Sequence, residues 1–280
     1  MYTVKQAAAL TGISEYNLRA WERRYGVVQP MRSHGGYRLY SDTDVARLRR
    51  MTALMNRGVP ASKAAAAVLE QSPSPETPPA TGSDLVEAAA SLRPRHLADQ
   101  LAEAFATGPF ETVIDHWLMP ELARLGEAWE RGQLTAAHEH FAAGGVMRVL
   151  AAHFDRAQPE PDSPLVLVGL PSGQRHEIPL LALSACLRLR GVEVAYLGAD
   201  VPADDWSTAA QERLPRGAVL GVHVGAAPAA QAVTNRLAAL ALPVWVGGSE
   251  GDQVAGAVRL PSPIGHAAAE LASQLRSGAV

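Results

Sequence analysis

From Pro164 onward the apolar residues of this chain gather into short unbroken runs, PLVLVGL, VEVAYLG, AVLGVHV, PVWVGG and AVRLP, separated by helix-like stretches such as the one around 178–190. A strand with one wet face alternates apolar and polar residues, so unbroken runs are what strands covered on both faces require. Strand–helix–strand repetition of such runs points to a doubly wound parallel α/β domain. Upstream of it the apolar spacing is helical. Two Pro-rich breaks, QSPSPETPPATGS at 71–83 and QPEPDS at 158–163, interrupt the chain. The expected organisation is a small head over 1–70, a linker over 71–83, a four-helix bundle over 84–160 and the α/β domain over 161–280.

Charge separates the same regions. Residues 1–60 hold ten Lys/Arg and four Asp/Glu, a net of +6, whereas the other 220 residues hold fifteen and twenty-four, a net of −9. A basic head on an acidic body suits a polyanionic partner for the head. The lone cysteine, Cys186, lies in an apolar stretch and has no partner for an internal disulfide, which fits a reducing cytoplasm. No N-terminal segment reads as a signal peptide, and no apolar run approaches the roughly 18 residues needed to span a bilayer. A cytoplasmic protein without membrane contact is expected. There is no nucleophile elbow, Walker loop or GxGxxG, so a conventional hydrolase or dehydrogenase is not expected either.

The head reads as helix, turn, helix, hairpin. VKQAAALTG is a short helix stopped by Gly12, and Ser14 caps a second helix, SEYNLRAWERRYG, that ends at Gly26. Leu18, Trp21 and Tyr25 share its inward face. Asn17, Arg19, Arg23 and Arg24 lie off that stripe, where Asn can pair with adenine, Arg with guanine or phosphate. Two apolar-aromatic stretches then flank Gly35-Gly36, a hairpin signal, with Arg32, His34, Tyr37 and Arg38 decorating it as a wing beside a phosphate backbone would require. Trp21, Tyr37 and Tyr40 are read as scaffold.

The run RAWERRYG, then P-x-R, then GGYRLYSDTDVARL resembles the DNA-binding domain of MerR-family regulators, in the Trp-containing form of the CarA/CarH/LitR group. That resemblance implies a winged helix-turn-helix head, double-stranded operator DNA as partner and, for regulators of this kind, RNA polymerase as a further one. After the wing, MTALMNRGVPASKAAAAVLE is broken by Gly58 and Pro60 and shows no sustained heptads. Self-association as a dimer or tetramer is therefore assigned to the C-terminal body, and repression is favoured over activation by DNA untwisting.

In the helical body, Leu118, Leu122, Leu125 and Trp129 repeat as a stripe on a helix entered at Pro120 and ended near Gly132, and Thr135 caps the next helix. Gly144 and Gly145 each weaken that helix by about 1 kcal/mol relative to Ala, which makes sense if something bulky approaches its backbone. Trp129 followed after nine residues by Glu139-His140 resembles the W-x9-EH element of the same group's cap domain. The resemblance implies a four-helix cap over the upper face of adenosylcobalamin, with Trp129 and Glu139 near the adenosyl group. An indole gives a flat apolar wall and a carboxylate accepts hydroxyl hydrogen bonds. From the residues alone, Trp129 could equally be core and Glu139 and His140 solvated. Members that form a bis-histidine light-state adduct carry His directly after this Trp; here Glu130 stands there, and His138 is the nearby alternative.

In open α/β sheets ligands bind beyond the carboxyl ends of the strands. PSGQRHEIP follows the first strand, and cobalamin-binding domains of flavodoxin-like (Rossmann-like) fold carry D/E-x-H-x-x-G at this place. Here the stretch is Gln174-x-His176-x-x-Pro179. The resemblance implies His176 as the cobalt ligand and metal residue, with Gln174 in place of the orienting acid. The Ser that would line the nucleotide-tail pocket is replaced near His223, and the later Gly-Gly is present as Gly247-Gly248. The implied function is a repressor whose oligomerisation and operator binding are set by adenosylcobalamin and light. Because Gln174, Pro179 and His223 depart from the pattern, a second reading keeps another tetrapyrrole such as the bilin biliverdin, or no cofactor. A methyltransferase corrinoid carrier is the reading from another class, and the basic head argues against it.

Overall fold

The computed structural model describes residues 2–11, 13–28, 30–32, 38–40, 44, 48, 51–52, 55, 59–70 and 83–277. They form two compact units, divided between Pro78 and Pro79.

The N-terminal unit contains β1 (Tyr2–Thr3), α1 (Val4–Thr11), α2 (Glu15–Tyr25), β2 (Met31–Arg32), β3 (Arg38–Tyr40) and α3 (Ala61–Glu70). The strands form one antiparallel sheet in the order β1-β3-β2, with Arg32 opposite Arg38 and Tyr2 opposite Tyr40. Leu18, Trp21, Val27, Val28 and Tyr40 are buried together in its core. The Gly35-Gly36 turn and Gly12 lie outside the described residues.

The second unit begins with a helical bundle: α4 (Leu85–Ser91), α5 (Pro94–Ala106), α6 (Phe110–Val113), a π turn (Ile114–Leu118), α7 (Met119–Glu130) and α8 (Ala136–Arg156). Pro120 falls in the first turn of α7, as the sequence suggests, and that helix continues without a break from Phe110 through the π turn immediately before Met119. Proline lacks an N–H and its ring crowds the carbonyl one turn back; the wider π turn accommodates both defects without ending the helix. Ser83, assigned by sequence to the linker, is buried against this bundle, and its carbonyl accepts the Trp117 indole N–H at 3.3 Å.

The α/β part comprises β4 (Leu165–Pro171), α9 (Ile178–Leu189), β5 (Glu193–Val201), α10 (Ala203–Arg213), β6 (Ala218–Gly221), α11 (Ala227–Ala238), β7 (Val244–Gly247), β8 (Val258–Arg259) and α12 (Ile264–Ser277). Its strands are all parallel in the order β5-β4-β6-β7-β8, with Val166 beside Val194 and Val219 beside Trp245. Numbered within the sheet this is 2-1-3-4-5, the flavodoxin-like doubly wound order. One face is covered by α9 and α12, the other by α10 and α11.

Helix α9 explains how the bundle and sheet become one unit. Its residues Leu180 to Leu187 are all buried, because Leu180, Leu183 and Leu187 pack on the sheet while Leu181 and Ala182 join the core of the bundle. A helix apolar on every face is one enclosed on every side. Polar contacts reinforce the join: Arg190 pairs with Glu111 at 2.5 Å, and the Gly265 N–H at the start of α12 donates to Asp115 Oδ2 at 3.0 Å. Burial pushes the Asp115 carboxyl above its ordinary 3.8, with the Gly265 and Ile264 N–H groups opposing that shift. Among the described residues no helix is long and apolar enough to cross a membrane.

Candidate functional sites

In the N-terminal unit, α2 is set by its ends. Ser14 Oγ accepts the Asn17 N–H at 3.2 Å, and Gly26 closes the helix at φ 63°. With Leu18 and Trp21 buried, Asn17 and Arg24 are exposed, the Arg24 guanidinium lying 5.6 Å from the Tyr25 ring centre. Arg19 and Arg23 sit on the same helix and Arg32 on β2. His34 and Tyr37 lie outside the described residues. Arg38 is committed within the unit: its Nε donates to Glu22 Oε2 at 2.8 Å, tying β3 to α2. This contact gives Arg38 a structural task besides any phosphate contact.

In the second unit, a cavity of about 600 Å³ opens between the bundle and the carboxyl ends of the strands. That size falls in the range of small-molecule sites. One wall is helical: Leu122 and Trp129 from α7, then Glu139, His140 and Gly144 from α8. The facing wall is the loop after β4, with Arg175, His176 and Glu177, together with His223 after β6. Trp129 is 50% exposed although it continues the Leu118–Leu125 stripe, whereas Trp117, one element earlier, is 4% exposed and joins the core. The apolar stripe therefore splits: Leu118 and Leu125 are core, and Trp129 faces the cavity. Glu139 and His140 contact each other through Oε2 and Nδ1. Glu130, next to Trp129, also lines the cavity.

His138 does not line it. Its Nδ1 accepts the Thr135 N–H at 3.1 Å, so the ring closes the first turn of α8. The two glycines also separate. A methyl at Gly145 would fall 2.5 Å from Leu97 Cδ2, so the bulky neighbour there is α5 of the same bundle; at Gly144 the nearest such atom is Arg148 Nη1, 3.6 Å away, and this backbone faces the cavity.

The lower wall depends on backbone geometry. Gly173, at φ 82°, donates its N–H to Asp200 Oδ1 at 2.7 Å, and the Asp200 N–H returns to Gln174 O at 3.1 Å. Asp200 itself has φ 57°, a conformation that Asp tolerates better than most residues. Glu177 is held by the Tyr196 hydroxyl at 3.1 Å. The Gln174 Oε1 is buried and has no hydrogen-bond partner among the described residues, which leaves an acceptor beside His176 in sequence. His223 has its ring centre 5.4 Å from that of His176, tilted by 52°. Burial first, and the His176 ring second, hold its pKa below 6.5. Gly247 and Gly248 lie off the main cavity, beside a narrower recess that also reaches His223. Gly248, at φ 96°, is required by packing: a Cβ there would lie 2.4 Å from Val222 O.

The structure thus brings Trp129, Glu139, His140, His176 and His223 around one space. Arg175, Glu177 and Asp200 were not singled out by sequence. The first two flank His176, but an irregular loop has no period that tells which side chains face a cavity. Asp200 has no motif; its signal is a positive φ that appears only in three dimensions.

Comparison with known proteins follows the same division. Residues 2–71 match the family described as MerR HTH family regulatory protein, and residues 83–152 match the B12 binding domain. The chain is 34% identical over 269 residues to the HTH-type transcriptional repressor CarH of Myxococcus xanthus, covering 89% of each. It is 34% identical over 252 residues to the repressor CarA of the same organism, covering 88% of this chain and 85% of that one. Among solved structures it is similar to the monomethylamine corrinoid protein of Methanosarcina barkeri, with TM-score 0.53, 17% identity, and coverage of 68% of this chain and 95% of that one. At that identity the likeness concerns the fold.

Proposed function

Since this chain belongs to the CarH/CarA family of MerR-type transcriptional repressors with a B12-binding domain, we propose that an adenosylated corrinoid, adenosylcobalamin being the reference compound, occupies the cavity between Trp129 and His176 and sets how firmly the head holds its operator. The observation that carries this reading is the pairing of a half-exposed indole with an exposed imidazole across one cavity of small-molecule size. Neither residue is needed for the core in that orientation.

The donor set suits a corrinoid. His176 offers the imidazole that would ligate cobalt from the loop side, and the unpartnered Gln174 Oε1 is the acceptor that would orient its other ring nitrogen. On the bundle side Trp129 supplies a flat apolar wall and Glu139 a carboxylate for ribose hydroxyls. When bound, adenosylcobalamin supplies a cobalt–carbon bond that light can break. The residues facing its upper side all belong to α7 and α8, so a change at that face is felt first by the bundle. Self-association of bodies raises the effective concentration of their heads at repeated half-sites, and its loss weakens DNA binding by about two to four decades without altering a DNA contact. On the head, Asn17, Arg19, Arg23 and Arg24 are assigned to the major groove and Arg32 to flanking phosphate. A cytoplasmic location follows from this role.

The test is to purify the full chain with adenosylcobalamin in the dark, record its absorption spectrum, and measure retardation of its own upstream DNA before and after illumination. A corrinoid spectrum with DNA binding lost on illumination is expected. A bilin spectrum, or DNA binding indifferent to cofactor and light, would overturn the sensing half. Arg32→Ala should weaken binding to all sequences alike and reduce the salt slope by about one.

A further inference from the structure

Beyond His223 the main cavity gives way to a recess of only about 130 Å³, bordered by Leu180 and Leu183 of α9, by Gly221 and Gly247 at the strand ends, and by Leu260. Pro179 and His223 line both spaces and so form the neck between them. Pockets that hold drug-sized molecules run from roughly 300 to 1,000 Å³. The main cavity meets that measure and the recess does not.

The neck is braced on the backbone side. The Val222 N–H donates to Gly247 O at 2.8 Å, and the Glu250 N–H donates to Val222 O at 3.0 Å. The Gly225 N–H is held by Glu250 Oε2 at 2.9 Å, and the Ala226 N–H closes a turn on His223 O at 2.9 Å. Gly248 already lies too near Val222 for a Cβ, and Leu170 Cδ2 stands 2.5 Å from where a Cβ on Gly221 would sit. On the opposite side the Pro179 ring fixes the first turn of α9. The backbone at Val222 is pinned by these contacts, and room for a larger group comes from displacing the His223 side chain, half-buried and packed near His176.

Cobalamins carry a nucleotide arm that ends in a bulky bicyclic base; cobinamides have the same macrocycle without that arm. We propose that His223 closes the recess to such a base and makes this cavity selective for corrinoids that lack the nucleotide arm. This deepens the corrinoid reading above and rests on it. The macrocycle and its upper ligand use the main cavity, where Trp129, Glu139 and His176 stand. His223 acts as a specificity residue by exclusion, opposing one ligand rather than attracting another.

The experiment is an absorbance titration of the full chain with adenosylcobinamide and with adenosylcobalamin in the dark, repeated for His223→Ser and His223→Ala, with far-ultraviolet circular dichroism to confirm folding. The wild-type chain should bind adenosylcobinamide about tenfold more tightly, in the range that steric pocket discrimination reaches. Both variants should gain affinity for adenosylcobalamin with little change for adenosylcobinamide. Equal or tighter wild-type binding of adenosylcobalamin overturns the proposal, as does a ratio unchanged in both folded variants. Should the variants not fold, the wild-type ratio alone decides. If the folded wild-type chain binds neither corrinoid, the corrinoid reading itself fails and takes this inference with it.

Discussion

The two walls of the cavity are built in opposite ways. The bundle wall displays Trp129, Glu139 and His140 from regular helices whose stability resides elsewhere, in Leu97, Leu101, Leu118, Leu125 and Val146. The sheet wall displays His176 and His223 from loops whose backbone is tightly specified, by Gly173 and Asp200 at positive φ and by Gly248 against Val222 O. On the first wall side chains can change while the fold stays indifferent. On the second, the backbone is what the fold must protect.

Two tryptophans test this contrast most severely. Trp117→Ala should destabilise the second unit by about 3–5 kcal/mol, the usual result of emptying a buried aromatic site. Trp129→Ala should cost under about 1 kcal/mol, as an exposed position allows, while weakening corrinoid affinity. Urea unfolding of both variants beside wild type checks the first statement and spectral titration the second; similar stability losses at both positions would erase the distinction between core and wall.

On the sheet wall, Gly248→Ala should cost about 3 kcal/mol, combining backbone strain with a clash against a carbonyl that cannot move away. The same denaturant series reads it out. A loss below about 1 kcal/mol would show that this loop is looser than its hydrogen bonds imply.

The adjacent glycines of α8 sharpen the comparison within one wall. Gly144→Ala meets only an ordinary contact, with Arg148 Nη1 at 3.6 Å, and should stabilise by about 0.5–1 kcal/mol through helix propensity. Gly145→Ala gains the same propensity but drives a methyl into Leu97, so it should lose about 1 kcal/mol net. Thermal melts of the pair should move in opposite directions.

The smallest effect concerns the join between the walls. The Asp115 carboxyl has its folded pKa raised above 3.8 by burial, so on acidification the native state takes up this proton before the unfolded chain does. Its contribution therefore favours folding more at pH 4 than at pH 7, and declines as pH rises through the folded pKa. Relative to wild type, Asp115→Asn should gain stability between pH 4 and pH 7. A difference that stays flat across that interval would remove Asp115 from the pH dependence.

Much of the architecture was legible without coordinates because it follows from periodicity. Unbroken apolar runs required a parallel sheet with both faces covered, and the Ser14 and Gly26 signals bounded α2. The spacing of Trp129 with Glu139-His140 pointed to one wall through the family resemblance and not through periodicity, because the residues stand on two successive helices. What the chain alone left open was whether an apolar residue faces inward or toward a ligand. Trp129 continues the Leu118–Leu125 stripe in one dimension, and only the packing of α7 against α8 and the sheet turns it toward the cavity. The unbroken continuation upstream of Pro120 was equally hidden, because a π turn has no sequence signature. The lower wall depended most on tertiary structure: loops have no period, so the approach of His223 to His176, the orphaned Gln174 acceptor and the neck at Pro179 arise only where strand ends distant in sequence are brought side by side.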